Sequence, residues 1–299
     1  MSWRIVVITS RVKLDLQLGY MVVRGETTSK IHLSEISIIM VESTAVSLTA
    51  ALLAELVKEK IKVIFCDGKR NPAAELLPYY GAHDTSSKVR SQITWDEETK
   101  GNVWQEIVRN KIMNQAKVLT LFNRDESGLL KQYVDELQFN DSSNREGHAA
   151  KVYFNSLFGM GFSRAEDNPI NAALNYGYTI LLSACNREIT ANGYITQLGI
   201  HHCNVFNSFN LGSDLMECFR PFFDYRVYEL WLNKELEVFE RQQKMEIINV
   251  LNCDVVLDAK TYSLNYAVKM YIKNIFHALN DQDISLISPC YFKEKSNEL

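Results

Sequence analysis

Apolar and polar residues alternate over much of the first 67 residues, which predicts β-strands in that region. The alternation is clearest over residues 14–18, where leucines at every second position are separated by Asp15 and Gln17. Gly19 and the polar stretch 24–30 are typical of short hairpins, so we expect an antiparallel sheet. Further apolar runs predict strands at 5–8, 20–23, 36–41 and 61–66.

Helical spacing of apolar residues interrupts this region once and then dominates the rest of the chain. Leucines predict one helix within 47–60, and the Gly- and Pro-containing segment that follows, 67–78, is predicted to be a loop. Together the patterns predict an α+β chain with a β-rich domain over 1–75, a polar, basic linker over 76–95 and a larger helical domain over 96–299. Amphipathic patterns predict helices of the last domain at 103–122, 129–139, 146–158, 168–191, 214–239 and 262–279.

Composition adds that the chain folds around a substantial core, since 46% of residues are hydrophobic and only 13 are Gly and 5 Pro. No apolar stretch is long enough for a membrane span and the N-terminus does not resemble a signal peptide, so we expect a soluble, cytoplasmic protein without a membrane partner. The formal net charge of −4 argues mildly against a nucleic-acid binder, unless basic residues cluster locally or a partner contributes positive charge.

Six cysteines occur without any CxxC pair, which is typical of reduced core thiols. A zinc site formed by Cys185, His201, His202 and Cys203 is the alternative, although neighbouring residues rarely supply several ligands of one tetrahedral site.

One candidate for chemistry is Glu146, which helical spacing aligns with Ala149, Ala150 and Tyr153 on a mostly apolar face. Unpaired burial of a carboxylate is costly, so the pattern indicates either a partnered acid or a metal ligand. A position in the first turn of a helix, favoured by the helix dipole, explains the residue equally well.

A second acidic pair lies at Asp214 and Glu217. If Ser213 caps a helix, Asp214 lies in its first turn and Glu217 one turn later, on the side away from the apolar residues Leu215 and Phe219. Capping alone accounts for Asp214 but not for Glu217. Two carboxylates and one imidazole would make a mixed oxygen and nitrogen site for Mg²⁺ or Mn²⁺, an ion able to promote phosphodiester displacement.

Several separate motifs occur in one order along the chain, at 33–36, 61–67, 146–154, 171–178 and 214–221. With these motifs the sequence resembles the CRISPR-associated adaptation integrase, the large subunit of the spacer-acquisition complex. The resemblance covers nearly the whole chain, and residues 111–116 and 206–210 are most similar to the branch found with type II effector systems. Cys218 departs from the family's Asp-Leu-Met-Glu-Pro-Phe-Arg-Pro pattern, in which proline is usual at that position.

This resemblance implies an N-terminal β-sandwich joined to a larger α-helical catalytic domain. It also implies a homodimer that binds a small dimeric companion, the second CRISPR adaptation protein, to form a heterohexamer that holds double-stranded DNA. The type II effector and an accessory adaptation protein are further implied partners.

Carried over by residue, the resemblance implies that Glu146, His202 and Glu217 are the catalytic metal ligands, with Mg²⁺ or Mn²⁺ as the ion. His201 competes with His202, and Asp214 is a supporting acid or an alternative ligand. The implied reaction is integration of captured DNA into a CRISPR array by attack of a 3′-hydroxyl on a phosphodiester. A structure-selective nuclease and a catalytically silent DNA-binding scaffold are the alternatives.

Other residues admit two interpretations each. Arg220 forms a structural salt bridge with Asp214, Glu217 or Asp224, or it contacts a phosphate. Tyr176 and Tyr178 are core or dimer residues, or they stack on unpaired bases. Four basic residues hold DNA or are simply solvated, namely Lys69, Arg70, Lys88 and Arg90.

Overall fold

The computed structural model describes residues 4–68, 70–78 and 82–293. The chain divides into two compact units, Met1–His83 and Asp84–Leu299. The elements of the first unit are β1 (Arg4–Ile8), β2 (Lys13–Gln17), β3 (Tyr20–Arg24), β4 (Thr28–His32), β5 (Ile36–Val41), β6 (Ser47–Leu48), α1 (Ala50–Lys58), β7 (Lys62–Cys66) and β8 (Pro72–Leu76).

The strands of the first unit form two sheets, ordered β1-β5-β7-β8 and β4-β3-β2-β6. The expected antiparallel pairing is present in β2, β3 and β4 but wrong for β1, β5 and β7, which are parallel. Strands β2–β4 lie between β1 and β5 in the chain, and α1 lies between β5 and β7, so each parallel pair has the long crossover connection that it requires. All six residues of β5 are buried, as is typical of a central parallel strand.

The segment predicted as a loop at 67–78 contains β8, which pairs antiparallel with β7. These two strands place Lys62 and Glu75 in an ion pair, and the lysine side chain is only 2% exposed. One hydrophobic cluster draws residues from both sheets and from α1. The sandwich arrangement of the sheets stays a prediction.

The second unit is mainly helical, as expected. Its elements are α2 (Thr85–Ile93), α3 (Glu97–Leu121), α4 (Ser127–Asp135), α5 (Arg145–Phe158), α6 (Pro169–Ala191), α7 (Asn210–Met216), α8 (Arg220–Leu232), α9 (Arg241–Asn249), β9 (Asp254–Leu257), β10 (Lys260–Ser263), α10 (Leu264–Asp281) and β11 (Cys290–Phe292). The sheet β10-β9-β11 was not predicted, because strands of three or four residues carry little periodicity.

The segment 76–95, predicted as a linker, contains α2, which belongs to the second unit. The segment is polar in composition, but the side chain of Gln92 is buried and attaches the helix to the rest of the unit. Its side chain donates 2.9 Å hydrogen bonds to the carbonyls of Ile195 and Leu198 and accepts from the N–H of Ile195 at 3.0 Å. Helix α2 therefore fixes the loop that leads to His201 and His202.

Helix α3 lies at the centre of the second unit, packed against α4, α5, α8 and α10. Its buried residues lie on several sides of the helix, so it presents side chains to several neighbours at once. Within the described ranges, none of the helices has the length and apolar character needed to cross a membrane.

Candidate active site

Asp214 organises the loop that carries the two histidines. Helix α7 begins at Asn210, three residues before the expected cap Ser213, so Asp214 lies inside the helix rather than in its first turn. Its side chain is fully buried. Its Oδ2 accepts from the N–H of Ile200 at 2.6 Å and of His201 at 3.1 Å. Its Oδ1 accepts from the N–H of His202 at 3.0 Å and contacts His202 Nδ1 at 2.5 Å. Both oxygens are thus committed to holding the loop.

Gly199 allows this close approach of loop and helix. A Cβ at this position would lie 2.3 Å from the carbonyl oxygen of His202 and 2.7 Å from Asp214 Oδ2. Backbone cannot yield to such a contact as a flexible side chain can, so any larger residue would displace the histidine loop.

Glu217 lies in a tight turn rather than on a continuous helix. Residues Glu217–Phe219 form a 3₁₀ turn between α7 and α8, and the N–H of Arg220 donates to the carbonyl of Glu217. Pro221 has no N–H with which to make the α-helical bond to that carbonyl, which favours the tighter turn. The Glu217 side chain is only 3% exposed and the whole turn is buried, so this carboxylate requires partners inside the fold.

Glu146 lies in the first turn of α5, and the side chain of Asp141 fixes that helix end. Asp141 accepts hydrogen bonds from the N–H of Arg145 at 2.7 Å and of Glu146 at 3.0 Å. These bonds satisfy two of the N–H groups that a helix start leaves without partners. The Glu146 side chain is 26% exposed, so the site is accessible to solvent on this side.

Lys111 of α3 joins the two glutamates. Its Nζ lies 2.5 Å from Glu146 Oε1 and 2.5 Å from Glu217 Oε2, and Arg220 Nη2 lies 3.1 Å from the other oxygen of Glu217. The expected salt bridge of Arg220 is therefore confirmed, with Glu217 as its partner. Lys111 was missed as a site residue. Its neighbours on α3 include the buried residues Ile107, Ile112 and Gln115, and a lysine in such a position needs a partner of opposite charge.

The imidazole of His202 is influenced by the charges of three carboxylates. Its hydrogen bond to Asp214 is the largest cause that raises the pKa of the imidazole, with burial opposing and the charges of Asp214, Glu217 and Glu146 adding to the rise. For Glu217, burial raises the pKa of the carboxyl, but the positive charges of Lys111 and Arg220 outweigh it and hold the pKa below its usual value.

His201 has a different environment. Its ring stacks on Trp104 with centroids 4.3 Å apart and planes 4° from parallel, and its Nδ1 lies 3.2 Å from Asn140 Oδ1. The structure thus joins Glu146, His202 and Glu217 in one electrostatic cluster and holds His201 against a tryptophan.

Behind Arg220 lies a buried network around Tyr178. The Tyr178 hydroxyl donates to Asp224, and the guanidinium carbon of Arg220 lies 4.7 Å from the centre of the tyrosine ring. Burial raises the pKa of Asp224 to about 6, despite the hydroxyl and the nearby guanidinium groups. Tyr176 is buried and belongs to the core, whereas Tyr178 is partly buried. Stacking of Tyr178 on unpaired bases stays a prediction.

The predicted basic residues are not brought to this cluster by any described contact. Lys88 lies 3.9 Å from Asp84, and Arg90 lies on the same helix, α2. Arg70 belongs to the first unit, and Lys69 lies outside the described residues. Their contact with DNA stays a prediction.

The side chains of Glu146, Glu217 and His202 are of the types that bind a divalent cation, although Lys111 Nζ lies between the two carboxylates. Among residues 4–68, 70–78 and 82–293, no group of three or more His, Cys, Asp and Glu side chains is arranged around a common metal position. The zinc alternative finds no support there either, since Cys185 is buried and Cys203 exposed. Glu146 and Glu217 nonetheless converge on one cationic atom, and His202 keeps Nε2 available because Nδ1 is bound by Asp214. Two carboxylates and an imidazole fit Mg²⁺ or Mn²⁺.

One buried and one partly exposed carboxylate beside a half-exposed imidazole, on a helical unit that follows a β-rich unit, have the chemistry that phosphodiester cleavage with a divalent cation requires. The family model for CRISPR associated protein Cas1 matches residues 5–254, and the chain belongs to this family. A relative from Neisseria meningitidis serogroup C, named CRISPR-associated endonuclease Cas1, is 32% identical over 292 residues, covering 95% of this chain and 94% of the relative.

Solved structures share the fold. A casposase bound to integration product superposes with a TM-score of 0.78 at 17% identity, covering 95% of this chain and 93% of that one. A chain of a Cas6-RT-Cas1–Cas2 complex superposes with a TM-score of 0.73 at 19% identity, covering 98% of this chain and 36% of the longer one. The predicted family and the coarse α+β fold are therefore confirmed.

Proposed function

We propose that this protein is a metal-dependent DNA endonuclease and integrase that inserts captured DNA segments into a CRISPR repeat array. The observation that carries the proposal is the convergence of Glu146 and Glu217, from separate helical segments, within 2.5 Å of one cationic atom beside His202. Membership of a family whose relatives are named endonucleases supports the same activity.

Glu146, His202 and Glu217 would hold Mg²⁺ or Mn²⁺. When bound, the ion would supply Lewis-acid polarisation of a phosphoryl oxygen. Asp214 keeps the imidazole oriented, since it binds both the N–H and the Nδ1 of His202. Arg220 fixes the free oxygen of Glu217, and with it the direction of that carboxylate.

The proposed reaction is a transesterification at phosphorus. The 3′-oxygen of the captured segment forms a bond to the phosphorus at the leader end of the repeat, and the bond from phosphorus to the leader 3′-oxygen breaks. The proton lost by the attacking hydroxyl is balanced by the proton that the leaving oxygen gains. The number of phosphodiester bonds is unchanged, so no external energy source is needed.

The proposed assembly is a homodimer that binds double-stranded DNA with a small dimeric companion in a heterohexamer, in the cytoplasm of a cell with a type II system. The effector and accessory adaptation protein of that system are further proposed partners. The likeness to a chain from a Cas6-RT-Cas1–Cas2 complex supports a companion of the Cas2 kind. A composite DNA surface would also account for a chain with a formal net charge of −4.

An integration assay tests this function. Purified protein is combined with the companion, a short duplex with free 3′ ends, a supercoiled plasmid bearing one repeat, and Mn²⁺ or Mg²⁺. We expect a strand-joined plasmid that disappears with a chelator and falls about 1000-fold in Glu217→Gln, because several kcal/mol of transition-state stabilisation are lost. Glu235→Gln, an exposed position, is the matched control.

The products separate the alternatives. Cleaved branched DNA without strand joining, in every combination of companion and metal, would support a structure-selective nuclease. Strand joining that is unchanged in Glu146→Gln and Glu217→Gln would contradict the proposed site and leave a scaffold role.

A further inference from the structure

The two proposed metal-ligand carboxylates already share a cation, which belongs to the chain itself. Lys111 Nζ lies 2.5 Å from an oxygen of each glutamate, and its side chain is 6% exposed. We propose that Lys111 is an internal counter-ion that holds the cation position of the metal-free protein and is displaced when the divalent ion and a DNA phosphate bind together. This inference rests on the proposed function.

The charges around the site give the first argument. Two carboxylates close together, one buried and one partly buried, would repel each other and destabilise the fold if no cation lay between them. Lys111 and Arg220 contribute two positive charges against those of Glu146 and Glu217, so these four side chains are neutral as a group. The metal-free fold is therefore stabilised without an ion.

The same neutrality opposes a metal ion that arrives alone. A divalent cation would add two positive charges to a buried and already balanced group. A phosphate of DNA brings a negative charge to the same place. Tight metal binding should therefore require the nucleic acid, which limits hydrolysis in the absence of DNA.

The surroundings of Lys111 let its side chain move while its helix stays in place. Asn114, one turn later on α3, donates to the carbonyls of Cys218 at 3.0 Å and Cys290 at 2.9 Å, which pins α3 to the turn that holds Glu217. Asn110 donates to the same Cys290 carbonyl at 3.0 Å. The backbone is thus fixed on both sides of Lys111, whereas the lysine stem has several rotatable bonds.

The open side of the site indicates where the ammonium goes. Glu217 is 3% exposed, whereas Glu146 is 26% exposed and the His202 side chain 40%. A phosphate enters from the exposed side, and the displaced Lys111 ammonium can then pair with that phosphate. Lys111 is accordingly a positioning residue for the carboxylates in one state and a phosphate partner in the other.

Direct Mn²⁺ binding tests the inference without measuring turnover. Calorimetric titration is carried out on the wild-type chain, Lys111→Met and Lys62→Met, each with and without a duplex that carries a 3′ end. The control Lys62→Met removes a buried lysine of the first unit that also pairs with a glutamate. We expect Lys111→Met to bind Mn²⁺ about tenfold more tightly than the wild type without DNA, because one nearby positive charge is removed. The wild type should gain more affinity from DNA than Lys111→Met does, and Lys62→Met should behave as the wild type.

Equal Mn²⁺ affinity of Lys111→Met and the wild type without DNA would overturn the role of Lys111 while leaving the metal site intact. No saturable Mn²⁺ binding by any form, with or without DNA, would instead remove the proposed metal site and this inference with it. The two failures are therefore distinguishable.

A second measurement does not depend on Lys111→Met, in case that variant fails to fold. Lysine labelled with ¹³C and ¹⁵N gives a separate ammonium signal for a buried, paired side chain. Lys111→Arg, which keeps the charge, assigns that signal by its absence. We expect the signal to shift or vanish when Mg²⁺ and duplex DNA are added together. A signal unchanged at saturating Mg²⁺ and DNA would overturn the proposal.

Discussion

Each unit of the protein buries a lysine against glutamate, but the two sites differ in what surrounds the pair. In the first unit, Lys62 of β7 pairs with Glu75 of the neighbouring strand β8, and the two side chains are 2% and 12% exposed. In the second unit, Lys111 meets two carboxylates, and Glu217 has a second cationic partner in Arg220. A half-exposed imidazole, that of His202, lies beside this second group.

The difference shows that an ion pair of lysine with glutamate can stabilise the fold or can provide a position where one cation replaces another. One lysine with one carboxylate is a neutral pair whose separation leaves two unpaired buried charges. Two carboxylates around one lysine form a cation position that another cation can occupy, provided that an opening exists. Only the second site has such an opening, on the side of Glu146.

The largest expected effect concerns the pair of Lys62 and Glu75, which has no opening to solvent comparable to that at Glu146. Glu75→Gln leaves the Lys62 ammonium buried without its charged partner, which we expect to cost about 4 kcal/mol of local stability. Hydrogen exchange of the β7 amides measures this, since the two units need not unfold together. Glu55→Gln is the control in the same unit, because its pair with Lys58 is exposed and should be worth about 1 kcal/mol or less. Equal effects of both substitutions would contradict the distinction drawn here.

The next effect is a pH dependence beside the open site. Burial raises the pKa of Asp224 from 3.8 to about 6, so the folded protein holds this proton more tightly than the unfolded chain. The resulting stability is complete below the unfolded pKa and is lost as pH rises through about 6, a change of about 3 kcal/mol.

Asp224→Asn tests this because the amide does not titrate. The unfolding free energy of the variant minus that of the wild type should increase by about 2.5 kcal/mol from pH 4 to pH 7, most of the full change. Urea unfolding followed by circular dichroism measures it. Asp281→Asn, at a 60% exposed side chain, should show a flat difference, and a flat difference for Asp224→Asn as well would refute the prediction.

A smaller effect is expected for Asp214, which orients His202 beside Glu146 and Glu217. We expect Asp214→Asn to lower strand joining and Mn²⁺ affinity about 10- to 100-fold, because His202 loses the group that orients it. Asp283→Asn, at an exposed residue that caps a surface turn, should change neither. A loss as complete as that of Glu217→Gln would show that Asp214 is itself a ligand, and wild-type values would show that it is dispensable.

The smallest expected effect separates the two histidines. His201→Ala removes a ring that stacks on Trp104, so strand joining should fall less than about tenfold, the effect of a lost aromatic contact. Strand joining by His202→Ala should fall about as far as strand joining by Glu217→Gln. The same integration assay compares the two variants, and the reverse order would assign the ligand to His201.

Local periodicity accounts for what the sequence determined. Helices α3, α5 and α6 and most strands of the first unit follow from the spacing of apolar residues, because that spacing depends only on neighbours along the chain. The same logic marked Glu146 and Glu217 as acids that need partners. The family also followed from the sequence, since several motifs in one order carry it.

Only the tertiary structure decided which partners these acids have. Residues 111, 146, 202 and 217 are far apart in the chain, and their meeting depends on how α3 packs against α5 and the turn after α7. The choice of His202 as the histidine beside the glutamates depends on Asp214 and Trp104, and the parallel pairing of β5 with β7 depends on the crossover through α1. Such contacts are set by long-range packing and the cost of burying charge, neither of which a local pattern records.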